Sequence, residues 1–406
     1  VSAHRTARAA PSEGRRVCLV LLTGLGDVVH GLPIANALKD SGYARHLTWV
    51  AEPMPGSLLA PHPSIDDVVT YRRRDGVAGV RALRRALAER RRADGPFDLT
   101  INLNVYLKSA WPTLFSRARH RLGFDRGRAK DWIWLATNDT LPPRPRAHTQ
   151  DMFLEFLAHL GVPHHAPAAP HDWRLEFSDA ERAAQAAWMG ERSGRPIAAI
   201  VPASAIDRKD WPAERWARVV DALAGDFGYE VALVGGPGAR ETAIAREIAA
   251  RATHPTTWAM GDGVRRVAWT LACCALVLAP DTGPLHVARA LGVPVIGLFG
   301  HTNPWRVGPY RAYEHLWVDA YTDPGTEPDP SRFDPPPEDR MQWITVEEVV
   351  ERIRRVGYGG SGEAGTGTAG TGTAGTGKAG TGTAGTGGAE RERRGGNGGA
   401  DTADGG

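Results

Sequence analysis

Residues 17–22 (VCLVLL) are an unbroken apolar run of strand length, followed at once by Thr23-Gly24-Leu25-Gly26. The run is too short for a helix and reads as a buried strand. The two glycines permit a turn with backbone angles closed to other residues. Asp27 then falls at the N-cap or in the first turn of a helix, and Leu32, Ile34, Ala35 and Leu38 give that helix an amphipathic pattern. Pro33 is tolerable only near the helix start.

The same alternation continues. The pattern predicts strands over 46–50, 65–71, 97–103 and 119–124, and helices over 81–92, from 104 past 114, and over 152–160. Gly161-Val162-Pro163 stops the last of these. A second series follows, with strands at 196–201, 230–234, 276–279 and 294–299 and helices at 213–223, 239–252, 267–274 and 285–291. Residues 317–342 read as irregular, and 345–356 as a final amphipathic helix, acidic at its start and basic at its end. Strand–helix alternation of this kind indicates an α/β protein with parallel sheets covered on both faces. The expected organisation is a disordered leader (1–15), a Rossmann-like domain (16–163), a Pro-rich linker (164–173), a second Rossmann-like domain (174–344) facing the first across a cleft, a terminal helix (345–358) and a tail (359–406). The tail repeats Ala-Gly-Thr-Gly-Thr and has no apolar content from which to build a core, so it is expected to be disordered.

Composition narrows the function. The 406 residues are 42% hydrophobic and 23% charged, as in ordinary soluble proteins. A formal net charge of +3 gives no whole-chain argument for nucleic acid, and none is expected as a partner. No apolar run has the length of a membrane span, and the basic, polar N-terminus lacks the apolar centre of a secretory signal. The three cysteines show neither disulfide nor zinc spacing, which fits a cytoplasmic location. His164, His165 and His171 invite a metal, but a linker supplies no ordered backbone to hold one. No Asp-x-Asp pair is present, which removes the commonest short motif for a metal-held nucleotide sugar.

Three loops of the second series bring polar groups to the C-terminal ends of strands. The first carries Ser204, Asp207, Arg208 and Lys209; hydroxyl and cations together suit a phosphate, although a charged surface loop has the same composition. The second is Gly235-Gly236-Pro237-Gly238 with Glu241, a carboxylate suited to ribose hydroxyls or simply to solvent. The third, Asp281-Thr282-Gly283-Pro284-Leu285-His286, aims backbone N–H groups and a helix dipole at one point, which makes an anion site. His286 either faces the ligand or packs as a satisfied core histidine, and Asp27 is either a helix cap or a functional carboxylate. Together the loops fit a nucleoside diphosphate. The dinucleotide fingerprint is absent, because Gly24-Leu25-Gly26 lacks the third glycine, and there is no Walker P-loop.

In order, the chain carries Gly26-Asp27-Val28-Val29-His30-Gly31-Leu32-Pro33, Leu107-Lys108-Ser109-Ala110, Arg121-Leu122-Gly123-Phe124, Lys209-Asp210-Trp211-Pro212, the 281–286 loop and Gly300-His301-Thr302-Asn303-Pro304. This ordered set resembles the ADP-heptose heptosyltransferases of lipopolysaccharide core synthesis, glycosyltransferase family nine, from Arg16 to Val356. The resemblance implies a GT-B fold with an N-terminal acceptor domain and a C-terminal nucleotide-sugar domain, and metal-independent inverting transfer with no cofactor. By the same resemblance Asp27 corresponds to the catalytic base and Lys209 to the cation on the pyrophosphate. Ser204, Arg208, Glu241, Asp281, Thr282, Gly283, His286 and Thr302 take donor positions. Gly26, His30, Lys108 and Arg121 take acceptor positions. His301 and Asn303 replace a more usual Pro and Asp, and Ala205 lacks a hydroxyl that some members carry. The implied partners are an ADP-sugar donor and an acidic glycan or lipid-linked acceptor, with peripheral contact at the inner membrane surface. Arginines at 72–74, 84–85 and 90–92 make the first domain locally basic, the right sign for an acidic acceptor, and also the ordinary composition of a solvated helix face. Two other functions stay open: a GT-B enzyme with another nucleotide-sugar donor acting on a cell-envelope glycan or secondary metabolite, and a non-catalytic sugar-nucleotide binding protein.

Overall fold

A computed structural model describes residues 14–165, 171–261 and 263–358. The expected leader up to residue 13, the centre of the expected linker (166–170) and the tail (359–406) lie outside the described residues.

The first lobe contains β1 (Arg15–Val20), α1 (Leu25–Asp40), β2 (Ala44–Ala51), α2 (Pro53–Gly56), β3 (Asp67–Thr70), α3 (Gly76–Asp94), β4 (Leu99–Asn102), α4 (Ala110–Phe115), β5 (His120–Gly123), β6 (Asp139–Thr140) and α5 (Thr149–Leu160). The second contains α6 (Asp179–Gly190), β7 (Ile197–Ile200), α7 (Ala213–Gly225), β8 (Glu230–Gly235), α8 (Ala239–Arg251), β9 (Thr256–Met260), α9 (Val264–Ala272), β10 (Leu276–Pro280), α10 (Gly283–Ala290), β11 (Val295–Phe299), α11 (Pro304–Val307), β12 (Val318–Asp319) and α12 (Val346–Tyr358). The strands pair in parallel in the orders β3-β2-β1-β4-β5-β6 and β12-β11-β10-β7-β8-β9. Read from its far edge, the second order repeats the first. Each sheet therefore reverses its winding once, between β1 and β4 and between β7 and β10, and ligands of such sheets bind beyond the strand ends at that point. This is the GT-B architecture that the resemblance implies.

Strand periodicity explains the layers. Val17, Leu19 and Leu21 face a core that runs through both lobes, while Cys18, Val20 and Leu22 face the opposite side, where Leu83 and Leu87 of α3 cover them. On the second sheet α7, α8 and α12 cover the outer face through Trp216, Ile248 and Val349. No helix among the described residues is long and apolar enough to cross a membrane.

Three expectations need correction. α1 is not amphipathic: eleven of its residues are buried, because it packs on its own sheet, on α5 and on α10 of the other lobe. Pro33 stands in the interior of that helix rather than near its start. It removes the N–H that would reach the Val29 carbonyl, a loss the surrounding packing tolerates. The pattern also missed α6 and β9. A capping box, with Ser178 receiving the Glu181 N–H and Glu181 reaching back to Ser178, starts α6.

Candidate active site

The two reversal points face one cavity of about 620 Å³. Its lining includes Gly24, Gly26, Asp27 and His30 from α1 and its turn; Ser204 and Lys209 after β7; Gly236, Gly238 and Glu241 after β8; Asp281, Thr282, Gly283 and His286 after β10; and Thr302 and Arg306 after β11. α1 and α10 both point their N-terminal ends into it. Two helix dipoles thus converge on one volume and favour an anion there.

Asp281 is the hub of the polar network. Lys209 Nζ donates to its Oδ2 at 2.7 Å, Thr302 Oγ1 donates to the same oxygen at 2.8 Å, and His286 Nε2 lies 3.3 Å from Oδ1. Burial opposes ionisation of this carboxyl, but the Lys209 ammonium and His286 outweigh it and hold its pKa well below the usual range. Asp27 goes the other way. Burial pushes its pKa up, only partly offset by the Thr23 hydroxyl, His286 and Arg306. The cavity therefore holds one carboxylate fixed in ion pairing and one poised to take a proton, the separation that acid–base chemistry needs.

Histidines form the floor between the lobes. The His30 ring lies 4.8 Å from His286 and 5.1 Å from His148, centroid to centroid. His30 Nδ1 meets Gln150 Oε1 at 3.3 Å, and its Nε2 has no protein partner. Burial, with His286 and His148 close by, pulls the His30 pKa well down, so it is neutral.

The remaining expected residues divide. Glu241 lines the cavity, accepts from the Gly236 N–H at 3.1 Å, and has its pKa raised by burial. Ser204 lines it too, but its hydroxyl donates to the Ile206 carbonyl at 2.7 Å and so closes its own loop. Lys108 is half-buried outside the lining, within electrostatic reach of Glu52 and Asp27. Arg208 is exposed beside the cavity rather than in its wall. Arg121 is held by the Ala136 and Ala118 carbonyls at 2.9 and 3.0 Å and does not line the cavity.

Sequence reasoning missed Arg306. Its guanidinium reaches the cavity and interacts with both Asp27 and Asp281, its Nε is buried without a partner, and it sits 4.3 Å from the Phe333 ring centre. Lys130 and Arg146 stand over the same ring at 4.0 and 5.3 Å. The available signal was a lone cation just past Asn303-Pro304, at the end of a buried strand. Asn303 itself accepts the Trp305 N–H and donates to the Asp329 and Arg332 carbonyls, so it braces this loop. Away from the cavity, His46, Asp67 and Asp94 bring ligand atoms within 4.8 Å of one another at the opposite edge of the first sheet. Arg90 and Arg16 already pair with those carboxylates.

A family model described as glycosyltransferase family 9 (heptosyltransferase) matches residues 80–327. The chain belongs to that family. Lys209 and Asp281 fall within the matched span of this family 9 protein, and Asp27 precedes it. The lipopolysaccharide core heptosyltransferase OpsX of Haemophilus influenzae is 26% identical over 356 residues, covering 84% of this chain and 97% of the relative. Lipopolysaccharide heptosyltransferase 1 of Pseudomonas aeruginosa is 30% identical over 75% of this chain and 84% of its own length. Among solved structures, a family 9 glycosyl transferase from Veillonella parvula shares the fold at a TM-score of 0.69 and 22% identity, over 86% of this chain and 98% of that one. E. coli heptosyltransferase WaaC, solved with ADP, does so at 0.66 and 22%, over 84% and 99%.

Proposed function

We propose that this family 9 protein is an inverting, metal-independent glycosyltransferase. It moves a heptose or related sugar from an ADP-activated donor to an acidic glycan such as the lipopolysaccharide inner core, in the cytoplasm. The observation that carries the reading is that Asp27 of the first lobe and Lys209 of the second line a single cavity. The relatives named above as lipopolysaccharide heptosyltransferases support the reaction class, and WaaC with ADP supports the donor class.

In this reading Asp27 accepts the proton of the acceptor hydroxyl as the oxygen attacks the anomeric carbon. ADP departs from the opposite face of that carbon. Charge growing on the diphosphate is met by Lys209, by Arg306 and by the first turn of α10. Asp281 keeps Lys209 in place through their ion pair. Glu241 is the group for the ribose hydroxyls. On the acceptor side, Lys108, Lys130, Arg146 and Arg306 gather around Tyr106 and Phe333, a concentration of cations suited to an acidic sugar.

The test is a donor screen on purified protein read by mass spectrometry, with calorimetry against ADP, UDP and GDP. Transfer from an ADP-sugar with ADP bound most tightly is expected. Preference for UDP or GDP would replace the donor assignment, and binding with neither transfer nor donor hydrolysis would replace the enzyme.

A further inference from the structure

α11 (Pro304–Val307) carries Arg306 and is a single turn, too short to be stable alone. The second lobe fixes its start. Asn303 caps it by accepting the Trp305 N–H at 3.0 Å, and Trp305 Nε1 donates to Asp319 at 3.1 Å. The first lobe fixes its end, where helix carbonyls lack partners of their own. Thr149 Oγ1 donates to the Arg306 carbonyl at 3.2 Å, and His148 Nε2 to the Gly308 carbonyl at 3.0 Å. Just beyond, the Tyr310 hydroxyl donates to Asp151 Oδ1 at 2.5 Å, and Arg311 Nη2 pairs with Asp151 Oδ2 at 2.7 Å.

These first-lobe partners all come from the cap and first turn of α5. Gln150, in the same turn, faces the other way. Its Oε1 lies 3.3 Å from His30 Nδ1 on α1, one helical turn beyond Asp27. Thr149 and Gln150 are buried. One turn therefore grips both the helix that carries Asp27 and the segment that carries Arg306, which belong to different lobes. The Arg306 side chain rests on the Phe333 ring, its Nε is buried without a partner, and it is within electrostatic reach of Asp27 and Asp281. With so few bonds of its own, the guanidinium is aimed by the placement of its backbone.

We propose that the first turn of α5 is a bracket that sets Arg306 opposite Asp27, and that Thr149 and Asp151 are positioning residues for sugar transfer. Asp27 takes the acceptor proton while Arg306 meets charge on the departing diphosphate, so the two must be in register at the same instant. A misplacement of about 1 Å costs about a hundredfold in rate. These two roles rest on the transfer reaction proposed above. The bracket itself is read by amide exchange without any ligand, so either can fail while the other stands.

The experiment combines amide exchange of the full chain, read by mass spectrometry, with transfer kinetics. Thr149→Val with Asp151→Asn should speed exchange over 304–311 by about tenfold, and Thr149→Val alone by about threefold, with β10 and β11 unchanged. Thr149→Val should lower kcat by about ten- to a hundredfold while the donor KM stays within about twofold, and Thr149→Ser should recover most of the loss. The decisive comparison is made in the Arg306→Met background, where Thr149→Val should cost no more than about twofold. A merely smaller folded fraction would lower both backgrounds alike. Unchanged exchange over 304–311 would overturn the proposal, as would an equal kcat loss with and without Arg306. A parent that transfers no sugar would overturn the reaction instead, with exchange still deciding the bracket.

Discussion

A Cβ placed on Gly283 would lie 2.6 Å from the Cβ of Leu25, closer than real side-chain atoms approach. Gly26 repeats the relationship from the other side, since its Cβ would lie 2.6 Å from His286 Cδ2. The starts of α1 and α10, one from each sheet, therefore touch where only glycine leaves room. Neither glycine has positive φ, so the requirement is space and not backbone freedom.

Gly283→Ala should push the two helix starts apart. Overpacking of this kind costs about 1–3 kcal/mol. A displacement of about 1 Å between reacting groups lowers turnover by about a hundredfold. Thermal melts and transfer rates check both. Gly24→Ala is the control for stability, because nothing lies within 4 Å of a Cβ there. Equal destabilisation by the two variants would sink the close-approach argument.

Asp27→Asn should keep ADP binding and lose about 10²–10⁴ in transfer rate, the contribution of a general base. The folded protein raises the pKa of this carboxyl above its value in the unfolded chain. Ionised Asp27 therefore weakens the fold once pH exceeds the unfolded value of about 3.9. The amide variant should accordingly melt no lower than the parent at pH 7. The parent's rate should fall with decreasing pH at a point above that of an ordinary aspartate, as the base becomes protonated. Calorimetry with ADP, melting curves and a pH–rate profile test the three parts separately.

Much of this site could be read from the chain because its parts are local. The buried run 17–22 and the turn after it placed Asp27, and the 281–286 loop announced an anion site within six residues. What escaped depended on contacts between distant segments. Gly26 and Gly283 read as ligand contacts, yet each packs against the opposite lobe as well as lining the cavity. α1 read as amphipathic because nothing local shows that α10 covers its outer side. The Ser204 hydroxyl looked free for a phosphate, but a bond two residues along consumes its donor. α6 differs, since its capping box stands in the sequence at 178–181 but the alanines that follow give no clear apolar stripe.

Asp281→Asn should disable Lys209 without touching it. The carboxylate receives Lys209 and Thr302 on one oxygen and meets His286 with the other, and the pair is largely shielded from solvent. Removing one partner of such a pair leaves the other unpaired and costs about 3–5 kcal/mol when fully buried, less here for the residual exposure. A rise in KM for the donor should accompany the lower melting temperature. Lys209→Met leaves Asp281 with only Thr302 and His286, so it too should melt below the parent, while transferring no faster than Asp281→Asn. A donor KM for Asp281→Asn equal to the parent's would show that the pair does not position Lys209.

His148 should make the junction between the lobes acid-labile. Its Nδ1 accepts from the Gln150 N–H at 3.2 Å, capping α5, and its Nε2 donates to the Gly308 carbonyl of the second lobe at 3.0 Å. That pattern needs the neutral ring, because a proton on Nδ1 would face another N–H. Burial brings its pKa down to about 4, with the Gly308 carbonyl and Asp151 opposing the shift and His286 and Arg311 adding to it. The unfolded chain takes up this proton near pH 6.5. Stability is therefore full above about 6.5, is lost as pH falls towards about 4, and from this group changes no further below that. His30, neutral for the same reason, steepens the slope. His148→Asn keeps an acceptor for the cap but cannot titrate, so it should melt lower than the parent at pH 7 and lose less on acidification to pH about 4.5. Parallel melting-temperature slopes for the two proteins over that interval would show that His148 is not the group that titrates.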